Sequence, residues 1–274
     1  MKLWKKTSLF ILFFILCERF CYTQTEGFTP SKIIAAGSEK SDVLENQAVF
    51  SRPFYFLGSG KQFYAFESED GTVVIKFIKQ SRRKPIPWLA KLPLPKPVSH
   101  LRDAYLQKRE KRLVDLVESC RLASVELAQE TGIISTHLVI SKPSLTITLF
   151  DKLGIAHRVE LGATQFLLQK KATLLTHLSK NSIDEMIKLT KDLSCKGIIN
   201  LDPMIQRNFG LCENKMIALD FGSLKKDQKS ASFPGFQRAV FLQLLSLREY
   251  LQNNQPQDVA YFDEQIQKTL QTTT

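Results

Sequence analysis

The sequence predicts an α+β protein in two lobes, on three observations. Aromatic and β-branched runs separated by Gly and Asp-Gly turns fill the first half of the 274-residue chain, helical periodicity dominates the second, and one long helical pattern follows the early strands. Composition permits this: 43% hydrophobic and 24% charged residues are ordinary globular usage, and the length suffices to bury a core without a metal or disulfide scaffold. No block recurs along the chain, which disfavours repeat architectures.

Residues 1–25 form a separate object, a signal peptide or membrane anchor. Lys2, Lys5 and Lys6 precede an apolar run over residues 9–17, closed by Glu18 and Arg19. That run is roughly half the ~20 residues a membrane helix needs, so it fits the hydrophobic region of an export signal better than a span. The leading lysines stay inside and send the two lobes across, so the chain is expected to be exported or membrane-anchored. Residues 26–50, with Pro30, Ser31, Gly37, Ser38 and Ser41 and little periodicity, read as a leader or linker.

Residues 51–170 are expected to form the first lobe. Runs at 54–57, 62–67 and 72–78 predict three antiparallel strands, joined by Gly58-Ser59-Gly60 and by Glu69-Asp70-Gly71, a hairpin signal. Between residues 80 and 98, Pro85, Pro87, Pro93, Pro95 and Pro97 forbid a helix interior and a central strand, so a loop bearing Arg82, Arg83 and Lys84 is predicted. Leu113, Leu116, Val117, Cys120, Ala123 and Leu127 then mark one face of a helix over 99–130, stopped by Gly132. Strands are predicted after it at 133–140, 145–149, 156–161 and 165–169.

Residues 171–274 are expected to form a shorter, mostly helical second lobe. Helices are predicted at 174–180, 182–195, 235–252 and 258–269, the second opened by a capping box of Ser182 and Glu185. Short strands are predicted at 198–201 and 215–219. The five cysteines have neither disulfide-framework nor metal-knuckle spacing. His100, His137, His157 and His177 lie in different segments and read as structural.

A few residues carry chemistry. The Gly58-Ser59-Gly60 turn frees backbone N–H groups to approach a phosphate, although such a hairpin also serves as a plain turn. Lys76 ends the apolar strand Val73-Val74-Ile75, either facing solvent or held over a nucleotide's phosphates. Asp202 and Asp220 each emerge from an apolar run, with Asn208 between them. Such hard oxygen donors suit Mg²⁺ carrying phosphates, and each acid alone also fits a cap or turn.

In this order Gly58-Ser59-Gly60, Val74-Ile75-Lys76, a Glu-bearing long helix, Gly197-Ile198-Ile199-Asn200-Leu201-Asp202, Asn208 and Asp220-Phe221-Gly222 resemble the protein-kinase-like superfamily, over residues 54–224. The resemblance implies a two-lobed kinase-like fold with ATP between the lobes. It implies that Gly58, Ser59 and Gly60 cover the ATP phosphates and that Lys76 pairs with them. Asp202 would accept the proton of an attacking hydroxyl, while Asn208 and Asp220 would hold Mg²⁺. Of Glu110, Glu118 and Glu126, Glu118 is chosen as the partner of Lys76 because it lies well inside the helix.

Four departures qualify the resemblance. The third glycine of the turn is replaced by Phe63. Asn200-Leu201 stands where His-Arg is usual, and Asp202 to Asn208 is one residue longer than the family spacing. After Gly222 about fifty residues remain, too few for a full protein-kinase substrate platform, so the second lobe is closer in size to reduced kinases acting on small molecules or lipopolysaccharide sugars.

The resulting expectation is an atypical phosphotransferase using ATP and Mg²⁺ on a hydroxyl acceptor that is a protein, a sugar or of lipopolysaccharide type. Its alternative is an inactive pseudokinase that binds nucleotide or protein. The 38 Lys+Arg against 27 Asp+Glu, a net +11, attract anions, and an anionic membrane surface or a protein partner is also weighed. There is no specific nucleic-acid signal.

Overall fold

The computed structural model describes all residues except Met1, 36–46, 81–91, 143–144, 176, 203–207, 214, 233–234 and 272–274. The run Arg82-Arg83-Lys84 therefore lies outside the described residues. The fold is α+β, in two compact units: residues 1–84 with 137–168, and residues 85–136 with 169–274. The division differs from the sequence expectation chiefly in the long helix, which belongs to the second unit.

The first unit opens with α1 (Lys2–Thr25), which continues past Glu18 and Arg19. Leu9, Phe10, Phe13, Phe14 and Leu16 are all exposed. Its stretch Thr7–Thr25 is long and apolar enough to cross a membrane. The segment directly after it is not a leader. Glu26 and Gly27 turn at positive φ, and a Cβ on Gly27 would stand 2.5 Å from the Tyr22 ring, so only glycine fits. The Gly27 carbonyl then accepts hydrogen bonds from the Tyr64 hydroxyl at 2.7 Å and from Lys32 Nζ at 2.5 Å. Phe28 and Ile33 are buried beyond it. The expected leader thus puts Phe28, Ile33 and Phe50 into the first unit's core.

The three early strands are β1 (Phe54–Ser59), β2 (Phe63–Ser68) and β3 (Val73–Ile78), antiparallel as expected. At the Asp-Gly turn the hydroxyls of Ser68 and Thr72 donate to Asp70 and hold its carboxyl down at about 2, while Gly71 takes φ +68°. β5 (Thr146–Phe150) pairs parallel with β1 and antiparallel with β6 (Ala156–Glu160), making a mixed sheet. Its strand order runs β7 (Phe166–Lys170), β3, β2, β1, β5, β6, and β7 passes into the second unit, where β4 (Ile133–His137) adjoins it. Alternation puts one residue in two on one face. Phe54, Tyr64, Phe66, Val73, Ile75, Phe77, Ile147, Leu149, Phe166 and Leu168 lie there with Phe28, Ile33 and Phe50 as one aromatic-rich core.

The second unit is built on α2 (Lys96–Glu126), which Pro97 opens in its first turn, where a missing N–H costs nothing. Of the predicted stripe, Leu116, Cys120, Ala123 and Leu127 are buried and Leu113 and Val117 half-buried. The helix breaks at Leu127, resumes as α3 (Ala128–Thr131) and stops at Gly132, φ +64°, where a Cβ would meet Ile217 Cδ1 at 2.9 Å.

A three-stranded sheet orders β11 (Lys215–Ala218), β10 (Phe209–Cys212) and β8 (Thr173–Leu174), and β9 (Ile198–Asn200) pairs with β12 (Leu224–Lys226). Residues 173–174 are a strand, not the expected helix start. α4 (Lys180–Cys195) is capped by Ser179, whose Oγ accepts from the Ser182 N–H, so the cap lies three residues before the predicted box. α4, with Ile183, Met186, Ile187 and Leu193 buried, packs against α5 (Gly235–Asn254) and α6 (Val259–Gln271) as well as β9 and β11.

Candidate functional site

The site residues read from the sequence fall into two sets, one in each unit. In the first unit a bulge at Leu57 decides the outcome. Phe56 pairs with Phe66, but the register then shifts so that Gly58 pairs with Ala65, and Ala65 pairs with Lys76. A bulge inverts the alternation beyond it, and direct cross-strand partners share a face. Gly58, Ala65 and Lys76 therefore form a row on the face opposite the aromatic core, Gly58 and Lys76 about 10 Å apart across two strand spacings. The row is small–small–cation.

Gly58 and Gly60 have no internal reason to be glycine. Neither has positive φ, and a Cβ on either would meet nothing within 4 Å. Ser59, one step further, pairs with Tyr64 and faces the core side. There its Oγ accepts from Nζ of Lys79, a lysine that the motif order does not single out. Its one signal is parity: Lys79 continues the Ile75, Phe77 face, where a cation is out of place.

In the second unit backbone and amide bonds draw Asp202, Asn208 and Asp220 together. Asn208 is buried; its Nδ2 donates to the Asp202 carbonyl at 2.7 Å, and its own carbonyl accepts from the Leu219 N–H at 2.7 Å. Asn208 thus spans from the first acid to the residue before the second. Because Nδ2 is committed, Oδ1 is the atom left for a cation. Asp220 Oδ1 accepts from the Gly222 N–H at 3.0 Å, which orients a half-exposed carboxylate.

Asn200, at the position of the unusual residue, joins the same network. Its Oδ1 accepts from the Asp202 N–H at 3.0 Å and from the Ser223 hydroxyl at 2.8 Å, so one buried amide fixes both the segment carrying Asp202 and the segment after Asp220. Further support comes from buried Gln169, whose Nε2 donates to the carbonyls of Thr131 and Ala218.

Helix α2 reaches this site through Ser119 and not through a glutamate. Ser119, buried one position before Cys120, donates to the Phe221 carbonyl and accepts from the Leu224 N–H at 2.8 Å, clasping the turn from Phe221 to Leu224 directly after Asp220. Phe221 itself is fully buried. Glu118 is exposed and forked onto Arg121, which holds its carboxyl below the usual range, and Glu126 pairs with Lys226. Glu110 is exposed.

Ser119→Ala strips a donor from one buried backbone group and an acceptor from another. We expect a loss of about 1–3 kcal/mol in chemical denaturation. A loss below about 0.5 kcal/mol would show that water or a shifted turn replaces both bonds.

No protein-family model and no curated protein matches the chain. Among solved structures it is similar to the Lpg2603 kinase of Legionella pneumophila bound to IP6, at 12% identity over 73% of this chain and 67% of that one, TM-score 0.33. It is also similar to WbdD, a bifunctional kinase-methyltransferase, with 12% identity over 80% of this chain and TM-score 0.39. A third similarity is to the ROP18 kinase domain in complex with AMP-PNP and sucrose, 16% over 62%, TM-score 0.34. The chain spans about half the length of the last two, 46% and 51%. The solved structures it is similar to thus include kinases.

Proposed function

We propose that the chain is an atypical kinase-like phosphotransferase that moves the γ-phosphate of ATP to a hydroxyl acceptor. The observation that carries this reading is the second unit's network, in which Asn208 ties Asp202 to the strand end that presents Asp220. Two carboxylates and an amide oxygen are the hard donor set that Mg²⁺ prefers, so Asn208 Oδ1 and the Asp220 carboxylate fit as its ligands. Bound there, the ion supplies neutralisation of phosphate charge.

In this reading the Lys76 ammonium is a phosphate counter-charge and the Gly58–Gly60 turn a phosphate cover. Asp202, its backbone fixed on both sides by Asn200 and Asn208, accepts the acceptor's hydroxyl proton. Rate then comes from positioning and charge stabilisation. The acceptor is a hydroxyl of a protein, a sugar or a lipopolysaccharide-type molecule. Helix α1 delivers the chain to or through a membrane, so the substrate is expected at a membrane surface or in a compartment beyond it.

The test is a thermal-shift titration of the purified chain with ATP, with and without Mg²⁺, combined with an assay for transfer of labelled γ-phosphate. Stabilisation that requires Mg²⁺, together with transfer, is the expected result. Stabilisation without any transfer or ATP hydrolysis selects a nucleotide-binding pseudokinase, a reading that the structural use of Asn200 favours. No stabilisation at millimolar ATP defeats both.

A further inference from the structure

The glycine turn of the first unit is held from the core side by Lys79. Lys79 is 4% exposed, just past the end of β3. Its Nζ donates to Ser59 Oγ at 2.5 Å and to the Gly60 carbonyl at 2.7 Å, and stands 4.0 Å from the centroid of the Tyr64 ring. Its backbone N–H donates to the Gln62 carbonyl at 2.9 Å, and Gly60 N–H closes the turn onto the Phe63 carbonyl at 3.0 Å. One residue thus holds Ser59, Gly60 and Gln62.

We propose that Lys79 is the positioning residue of the Gly58–Gly60 turn, a buried cation that fixes the direction of the turn's peptide groups and thereby its readiness for phosphate. The peptide geometry gives the reason. In a trans peptide the C=O and N–H point in opposite directions, so drawing the Gly60 carbonyl inward to Lys79 aims the N–H of Lys61 outward. The Gly60 N–H is spent on the Phe63 carbonyl, so the amide that this bond turns toward an anion is that of Lys61. A buried ammonium is costly unless its hydrogens are used, and here hydroxyl, carbonyl and ring share them. A hydrophobic residue at this position would take the donor away from Ser59 and Gly60 and so release the turn. The consequence for phosphate rests on the nucleotide reading above; the holding of the turn does not.

The experiment compares the wild-type full chain with Lys79→Met and Ser59→Ala, with Lys79→Arg as the conservative variant. Three quantities are read: melting temperature, hydrogen exchange of amides 58–63 without ligand, and the Kd for AMP-PNP with Mg²⁺. Lys79→Met should keep the melting temperature within a few degrees, speed exchange in the turn about tenfold or more, and weaken nucleotide about tenfold. Ser59→Ala should do the same to a lesser degree, and adding it to Lys79→Met should change nothing further. Lys79→Arg should recover part of the protection.

Unchanged exchange at 58–63 in Lys79→Met overturns the proposal, as does faster exchange with an unaltered Kd. Should Lys79→Met not fold, Ser59→Ala decides alone, and unchanged exchange there overturns it. If the wild-type chain binds no nucleotide, the phosphotransferase reading fails, and the exchange data still decide whether Lys79 holds the turn.

Discussion

Asp220→Asn is expected to lower phosphoryl transfer about a hundredfold or more while the second unit stays folded. Asn keeps an oxygen at the position where Asp220 Oδ1 caps the Gly222 N–H, so the turn survives and only the negative charge is lost. The loss should appear as a raised Mg²⁺ requirement. Asp202→Asn should reduce turnover as strongly yet leave the affinity for ATP and Mg²⁺ near wild type, since its assigned role is to take a proton. Lys76→Met should mainly weaken ATP, its stem still packed on the face it shares with Ala65. Initial rates across ATP and Mg²⁺ concentrations separate the three. Full turnover by purified Asp220→Asn sinks the metal assignment, and Lys76→Met with unchanged ATP affinity sinks the phosphate role of the first unit.

How far these positions are legible depends on what the local pattern encodes. The strands β1 to β3 are legible because aromatic and β-branched runs with Gly and Asp-Gly punctuation specify them locally. The chemical types at Asp202, Asn208 and Asp220 can be read from motif order, yet the bonds that draw them together rest on Asn200, Gln169 and Ser119, ordinary polar residues without a spacing signature. Ser119 carries one faint mark: it sits three after Leu116 and four before Ala123, a hydroxyl on the apolar stripe. Glu118 fits the sequence pattern as an interior helix glutamate, and the structure commits it to Arg121. Nothing in a helical period announces which surface pair forms.

The elements that sequence reasoning misses share another cause. Leu224-Lys225-Lys226 carries no strand signal of its own, and it becomes β12 because the apolar β9 needs a partner: Leu224 pairs with Asn200 and Lys226 with Ile198. Strand propensity is weak against such a tertiary demand. The same applies to β10, where Gly210 hides a strand whose pairing with β11 positions Asn208.

Phe28→Ala is expected to destabilise the first unit by about 3–5 kcal/mol. Local pattern offers no hint of it, since Phe28 lies in a stretch with Pro30 and Ser31 and no periodicity. The structure places its ring edge-on against Phe66 at 4.9 Å and Tyr64 at 5.3 Å between centroids, 3% exposed, directly after the Gly27 carbonyl that anchors Tyr64 and Lys32. Removing the ring opens a cavity in an aromatic cluster whose other members are pinned by strand pairing, so collapse cannot fill it. Leu12→Ser on α1, exposed on that helix, serves as the control and should leave the unit's denaturation midpoint unchanged. Deleting residues 1–25 should likewise preserve the fold, whereas deleting 1–33 should abolish it. A Phe28→Ala loss under about 1 kcal/mol, or a folded chain lacking residues 1–33, would return this segment to the status of a leader.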